Sequence, residues 1–508
     1  MSKSINIDPV TRIEGHLAVR IEVESQRIVK AFCSGEMFRG FETILRGRDP
    51  MDAQQITQRI CGVCPVSHGI ASVYAQDMAY GISPPENGRL LRNLMQGANF
   101  IQDHILHFYQ LSALDFIDIT AITGYTGKDA HLNGLKSWVK SELASNSLFP
   151  GAPFLPRYNG EYIENSDLNI SVIKNYIEAF EMRRLAHRMG AIFAGKLPHA
   201  ASIVPGGVTV KADARSIASY KEMLLKLQSF IDNAYIPDIL AVASGMPQYF
   251  TMGKGCNNFI AYGVFPEKSN GSGNDPGNLF PGGTIINGRY EPLNDAFITE
   301  DVKFSRFSSP SAASPFDGET IPDPDKLNSY SWIKAPRYRG NAMETGPLAR
   351  LMVLYHSDSN GPVYGVINDF LKKLNLSPED LVSVLGRHAA RAIECKIVAD
   401  GCAKWVDQLR PDEPCFNDFK IPESAEGKGL TEACRGALGH WIKIKDYKIE
   451  KYQCVVPTTW NCSPRDDRGI PGPVEQALEG IEVKDELNPI EAVRVVRSFD
   501  PCLACAVH

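Results

Sequence analysis

The sequence predicts an α+β protein that is predominantly helical: a central bundle of long helices with small β-sheets at its periphery. Three observations carry this expectation. Strand-like alternation is confined to the start of the chain, and apolar residues recur at helical spacing through long middle stretches. Two Cys-x-x-Cys pairs, Cys61/Cys64 and Cys502/Cys505, lie near opposite ends and read as two halves of one buried metal site. A site shared between the two ends leaves little room for independent domains. The whole of 1–508 is therefore expected to form one unit. Its parts are N-terminal strands over about 1–50, a helical core over about 51–260 and 335–450, an irregular excursion over about 261–334, and a metal-binding tail over about 451–508.

Residues 17–24 alternate Val19, Ile21 and Val23 with Arg20, Glu22 and Glu24, the signature of a half-buried strand, and residues 5–7 are placed to pair with it. From about Asp52 the pattern turns helical and delivers the first cysteine pair at a glycine-containing turn. Residues 88–116 read as one long helix, with Leu91, Met95, Ala98 and Ile105 on one side. Residues 173–195 form another, striped by Ile173, Ile177, Phe180 and Ile192, and residues 220–235 a third. Ser377-Pro378-Glu379-Asp380 has a cap, a proline at the first position and acids in the first turn, and is expected to open a helix running to about Gly401. Residues 266–288 and 307–329, rich in Gly, Pro, Ser and Asp, read as long loops.

Composition narrows the function. With 44% hydrophobic and 22% charged residues the chain is an ordinary soluble protein, long enough at 508 residues to bury a large core. A net charge of -6, without a basic run or aromatic-basic stripe, gives no reason to expect nucleic acid. No uncharged apolar run is long enough to span a bilayer, and the first residues lack the apolar core of a signal peptide. Export is thus expected to depend on a partner. The twelve cysteines do not read as disulfides in so long a chain without a signal. Cys33, Cys256, Cys395, Cys402, Cys415, Cys434, Cys454 and Cys462 lie outside the pairs, and most read as small buried hydrophobes.

In a Cys-x-x-Cys turn the first and fourth side chains point the same way and grip one ion; two such turns supply four thiolates, which soft and borderline metals favour. Structural zinc ribbons place their pairs some 15–20 residues apart. Here nearly the whole chain separates them. Spacing alone leaves open a metal site, a redox dithiol and coincidence.

At these residues the chain resembles the large, catalytic subunit of nickel–iron hydrogenases of the uptake and periplasmic type. The resemblance lies in Arg59-Ile60-Cys61-Gly62-Val63-Cys64 with His68, and in Asp500-Pro501-Cys502 with Cys505 and His508. It extends through Asp8 to His16, Arg39-Gly40-Phe41-Glu42, Arg92-Asn93-Leu94, Lys334 to Tyr338, Gly386-Arg387 and Pro464-Arg465-Asp466, essentially the full length. The segment 39–50 is also similar to the nickel–iron–selenium branch, whose members carry selenocysteine where this chain has Cys502.

The resemblance implies reversible heterolytic cleavage of H2 to protons and electrons. Cys61 and Cys502 match the terminal nickel ligands, and Cys64 and Cys505 the thiolates that bridge nickel to an iron holding two cyanides and one carbon monoxide. Such cleavage needs a base beside the metals, and a terminal thiolate such as Cys502 serves if its proton leaves quickly. Glu14 matches the family's proton gate; the bland alternative is a salt bridge with Arg12. Arg435 matches an arginine held over the open metal position, where a permanently charged planar guanidinium can bind cyanide, and Asp103 and Asp500 match the carboxylates that fix it. Thr458 matches a hydroxyl donor to the other cyanide, and His68 a hydrogen-bonding neighbour of Cys505 rather than a ligand. Glu42, the backbone carbonyl of Cys454 and His508 match a magnesium site, sometimes assigned to iron. One departure is Cys434, which stands before Arg435 where the family usually has proline; it reads as a small packing residue.

Partners follow from the same resemblance. The chain has no further cysteine cluster of iron–sulfur type, so electrons are expected to leave through an iron–sulfur small subunit in a heterodimer. That subunit normally carries a twin-arginine signal, which implies a periplasmic or membrane-associated location, with a cytoplasmic one as the alternative. Relatives are trimmed by a maturation protease just after the residue matching His508, so the chain reads as the processed form. Two other readings stand beside this one: a silent relative such as the quinone-site subunit of respiratory complex I, which generally lacks the four cysteines, and a scaffold stapled by structural zinc.

Overall fold

The computed structural model describes residues 2–145, 160–268, 277–357 and 362–508. At the N-terminus, strands Lys3–Ile7, Leu17–Glu24 and Arg27–Gly35 form an antiparallel sheet in that order. Leu17, Val19, Ile21 and Val23 are buried while Arg20 and Glu24 face solvent, as the alternation requires.

The helical core is built around Glu86–Leu106, whose residues are buried on every side from Asn87 to Ile105. It packs against Ser166–Ala194 and Val384–Gln408, and Ala214–Phe230 packs on both of these. A helix so enclosed must pair its polar groups internally. Arg92 meets Asp77 at 2.6 Å, and His104 meets Glu394 at 2.8 Å.

Five sequence expectations are corrected here. Residues 88–116 are not one α-helix: after Leu106 the chain widens into a π-turn, His107–Ser112, and tightens again over Ala113–Asp115. Bonds from the His107 ring to the Arg497 carbonyl (2.8 Å) and from the Tyr109 hydroxyl to Asp238 (2.7 Å) anchor that turn, and periodicity cannot register them. Phe180 is 48% exposed, so the buried stripe of its helix runs instead through Val172, Ile173, Tyr176, Ala179, Met189 and Phe193. The Ser377 start opens only a short 3-10 turn, Pro378–Leu381, and the long helix begins afresh at Val384, capped by Ser383 on the Gly386 amide. Within 335–450, expected to be helical, lie strands Ala425–Ala433 and Gly436–Lys445, which continue into Lys448–Val455 as an antiparallel sheet. Its inner face lies directly on the helix Pro65–Tyr80. A Cβ on Gly429 would sit 1.9 Å from the Ala71 carbonyl oxygen, so this close approach requires glycine. Because long runs of these strands are buried on both faces and the charges gather at their outer ends, they show no clean alternation. The loop expected over 266–288 contains short strands Asn278–Phe280 and Gly283–Ile286, while its segment 269–276 lies outside the described residues; 307–329 is irregular.

The two ends meet as predicted. Glu14 and Cys502 form a parallel β-bridge, with Leu503 N donating to Glu14 O at 2.9 Å. Gly15 (φ +77°) permits this crossing, because a Cβ there would lie 2.8 Å from that of Leu503. No helix among the described residues is long and apolar enough to cross a membrane.

Glu475, in helix Pro473–Leu478, ties the N-terminal sheet to the C-terminal third by accepting from Cys33 N and the Tyr330 hydroxyl, each at 2.9 Å. Burial pushes its carboxyl up to about 7, above a usual value near 4.5, despite those two donors. The folded state thus holds this proton more tightly than the unfolded chain does. The resulting stability is full below pH 4.5 and is lost as pH rises through about 7, a loss of about 3 kcal/mol. Denaturant unfolding of Glu475→Gln across pH 4.5–8 should show a curve flatter by about that amount; parallel curves would contradict the assignment.

Candidate metal centre

Cys61 and Cys64 occupy the turn between helices Asp52–Gln58 and Pro65–Tyr80; Cys64 precedes the second helix, whose first position is Pro65. Cys502 precedes the short helix Leu503–Ala506, and Cys505 lies within it. The Cys61–Cys502 sulfurs are 3.4 Å apart, Cys64–Cys505 3.3 Å and Cys502–Cys505 3.1 Å, and all four lie within 4.8 Å of one another and are buried. Metal–sulfur bonds of about 2.3 Å to shared ions span separations of this order.

The protonation chemistry fits a cation. Sharing protons with Cys502, Cys505 and Cys64 draws the Cys61 thiol far below its usual value, while burial drives Cys502 and Cys505 far above theirs. Drawing off the other protons in so dry a place takes a multiply charged centre.

Around the sulfurs stand the other predicted residues. The Cys502 thiol is 3.1 Å from Glu14 Oε2, which also accepts from Ala504 N at 2.9 Å. Burial, and then the charge on Cys61, raises the Glu14 carboxyl above its usual range. Arg12 is not its partner: Arg12 pairs with Asp115 instead. Arg435 sits in the two-residue turn joining strands Ala425–Ala433 and Gly436–Lys445. Its Nη1 donates to both oxygens of Asp103, at 3.0 and 3.1 Å, and its Nη2 lies 3.0 Å from Asp500. Burial lowers the Arg435 pKa, but Asp103 and Asp500 outweigh it. Its Nε is buried with no hydrogen-bond partner among the described residues, a donor suited to an acceptor on a bound group. Thr458 accepts from Cys502 N at 2.9 Å, leaving its own hydroxyl proton free to donate. His68 Nε2 is 3.4 Å from Cys505 Sγ. The Cys434 thiol is buried against the Asn99 carbonyl (3.7 Å) and burial raises it far above its usual value, as befits packing rather than reactivity.

A second cluster joins Glu42, His508 and Cys454. Glu42 Oε1 accepts from Cys454 N at 2.7 Å and lies 3.1 Å from His508 Nε2, and His508 Nδ1 donates to the Cys505 carbonyl at 2.6 Å. Burial opposes the Glu42 charge, yet Lys334 and His508 hold the carboxyl well below the usual range. Beside it is a cavity of about 10 Å³, room for one water. Glu300 Oε1 and Thr459 Oγ1 are buried there without partners among the described residues, which suits the waters of a hard, hydrated cation.

Sequence reasoning missed several braces. The Arg39 guanidinium donates to the Ile60 carbonyl (2.6 Å) and to that of Ala504, one beside each cysteine pair. Arg350 pairs with Glu394 (2.6 Å) and Glu432 (2.5 Å) and donates to the Cys434 carbonyl (2.9 Å), holding the turn that carries Arg435. Lys334 stands between Glu42 (3.5 Å) and Glu300 (3.4 Å). Arg39 and Lys334 fall in the quoted motifs, but only their side-chain geometry reveals their tasks.

Such a centre, at the junction of the two ends of a helical chain, defines a class. The sequence profile described as nickel-dependent hydrogenase matches residues 39–508, one described as HoxL-like matches residues 4–31, and the chain belongs to the nickel-dependent hydrogenase family. Within it the chain is a hydrogenase large subunit, an oxidoreductase acting on H2. It is similar to the periplasmic [NiFeSe] hydrogenase large subunit of Desulfomicrobium baculatum, 41% identical over 99% of this chain and 94% of that one. It also resembles the hydrogenase-2 large chain of Escherichia coli, 37% identical over 100% and 97%. The reduced-state structure of the Ni-Fe-Se hydrogenase from D. vulgaris Hildenborough superposes with a TM-score of 0.89 at 41% identity, covering all of both chains.

Replacing Cys502 by serine substitutes a harder oxygen donor of much higher pKa. Nickel analysis of the purified variant should show most of the nickel lost; full nickel with full activity would remove Cys502 from the ligand set.

Proposed function

We propose that this chain catalyses reversible heterolytic cleavage of H2 at a nickel–iron group held by Cys61, Cys64, Cys502 and Cys505. The observation that carries the reading is the buried four-sulfur cluster with a carboxylate in contact on one side and a guanidinium fixed on the other. Cys61, Cys64, Cys502 and Cys505 would hold this group, with Cys61 and Cys502 on nickel alone and Cys64 and Cys505 on both metals. With two cyanides and one carbon monoxide on its iron, the group would supply the Lewis acid and the electron sink.

The chain's own residues manage protons and orientation. Cys502 Sγ accepts the proton and Glu14 Oε2, 3.1 Å away, takes it on. The raised pKa of Glu14 suits a group that must both accept and release a proton. Arg435, clamped by Asp103 and Asp500, keeps Nε free for one cyanide, and Thr458 offers its hydroxyl to the other. His68 supports Cys505 without ligating. Glu42, His508 and the Cys454 segment hold magnesium or iron(II) and pin the tail.

Apart from the four-sulfur set and the group of Glu42, Cys454 and His508, the described residues contain no cluster of metal-binding side chains. Electrons therefore leave through an iron–sulfur small subunit. That partner's export signal places the pair in the periplasm or at the membrane, consistent with the periplasmic relative.

Metal analysis and infrared spectroscopy test the reading. One nickel and about one low-spin iron per chain, with bands for bound cyanide and carbon monoxide, is the expected result; zinc alone without such bands would sink it. Glu14→Gln should keep both metals and the bands yet lose H2 turnover by at least 10²-fold, the scale of a lost proton-transfer group. Normal turnover in that variant would remove Glu14 from the proton route.

A further inference from the structure

A row of buried hydrogen bonds leads from the cluster into the sheet. Cys505 Sγ lies 3.4 Å from His68 Nε2, and His68 Nδ1 lies 3.1 Å from His440 Nε2. His440 Nδ1 is 2.8 Å from the Tyr452 hydroxyl, which is 3.0 Å from that of Ser72. All five residues are buried. His68 and Ser72 stand one turn apart on the helix Pro65–Tyr80, while His440 and Tyr452 come from neighbouring strands, so the row leaves the helix and returns to it.

Both rings are fully buried, a place that disfavours a charged imidazole, and a nitrogen of one faces a nitrogen of the other, so one of that pair must accept. A neutral imidazole donates from one nitrogen and accepts at the other. Each bond then fixes the direction of the next, and the row as a whole has only two polarities. A metal-bound thiolate at Cys505 accepts and cannot donate, which selects one of them.

We propose that His440 and Tyr452 are positioning residues that lock His68 as its Nε2–H tautomer. The donors then run Ser72 to Tyr452 to His440 to His68 to the Cys505 thiolate. The inference rests on the reading of Cys505 as a metal-bound thiolate. The row does for a sulfur ligand what a carboxylate partner does for a metal-bound histidine: it sets orientation and tunes how much charge the ligand gives the metal. Without the Tyr452 hydroxyl, His440 Nδ1 has no donor to accept from, and nothing on that side holds the His440 proton on Nε2. In the share of molecules whose row then runs the other way, His68 carries its proton on Nδ1 and its bond to Cys505 is lost.

Neutron diffraction from deuterated crystals of the metal-loaded protein with its co-purifying small subunit reads the polarity directly. Deuterium on Nε2 of both His68 and His440 is expected; deuterium on Nδ1 of either ring overturns the proposal. The Tyr452→Phe variant supplies a second readout. Losing the bond to a bridging thiolate leaves more electron density on iron, so the iron-bound carbon monoxide band should move to lower wavenumber at unchanged nickel content. An unmoved band at full metal content overturns the tuning role. Should Tyr452→Phe not fold, Ser72→Ala, which removes the outermost donor, is read the same way. Absence of cyanide and carbon monoxide bands in the wild type would refute the hydrogenase reading separately. The deuterium positions would still decide the polarity, because a thiolate on any cation demands the same donor.

Discussion

Four buried sulfurs within 4.8 Å of one another are the constraint on which the rest of this structure depends. Burying one thiolate is costly, and burying several side by side is prohibitive unless a cation neutralises them. The fold must therefore deliver two short segments, some 440 residues apart in sequence, to one place and hold them against their own repulsion. It does so mainly with backbone. The Glu14–Cys502 bridge, the glycine at position 15 and the Arg39 guanidinium on two carbonyls fix the cysteine turns without touching a sulfur. Side chains that touch the sulfurs remain free for chemistry.

Charge around the cluster is arranged in the same spirit. Arg435 would be expensive to bury alone, and Asp103 and Asp500 compensate it from two sides. Arg350 with Glu394 and Glu432 forms a second closed set one step further out, and its remaining donors grip the carbonyls of Ala433 and Cys434. The turn carrying Arg435 is thus held by ionic contacts to its backbone. These contacts reach the backbone and leave the Cys434 side chain out, and its thiol packs against the Asn99 carbonyl.

Much of this was legible in the sequence because the relevant signals are local. Two Cys-x-x-Cys turns, an alternating strand and long apolar helices are patterns of neighbouring residues, and the family motifs around Glu14, Arg435 and His508 mark positions whose side chains do converge. What was not legible depends on tertiary context. The sheet 425–455 reads poorly because it is covered on its inner face and because Gly427 and Gly429 answer to helix carbonyls rather than to strand propensity. The π-turn after Leu106 answers to Arg497 and Asp238, and the false start at Ser377 shows that a well-formed cap can serve a single turn. Arg39, Arg350 and His440 work through geometry alone. No spacing rule connects His440 to Cys505.

The same geometry ties assembly to metal binding. The tail 502–508 is held by backbone bonds to Glu14 and Arg39, by His508 on Glu42 and by its two thiols. Two of these four attachments involve residues suited to metals, and both strengthen when cations are present. Burial raises the Cys502 and Cys505 thiols far above their usual value, so a cation is what favours charge on the tail's own sulfurs. Closing the tail and charging the cluster are therefore one energetic event. Each cation bound stabilises the closed ends, and each contact that closes the ends raises the affinity for the cation, because linkage is reciprocal.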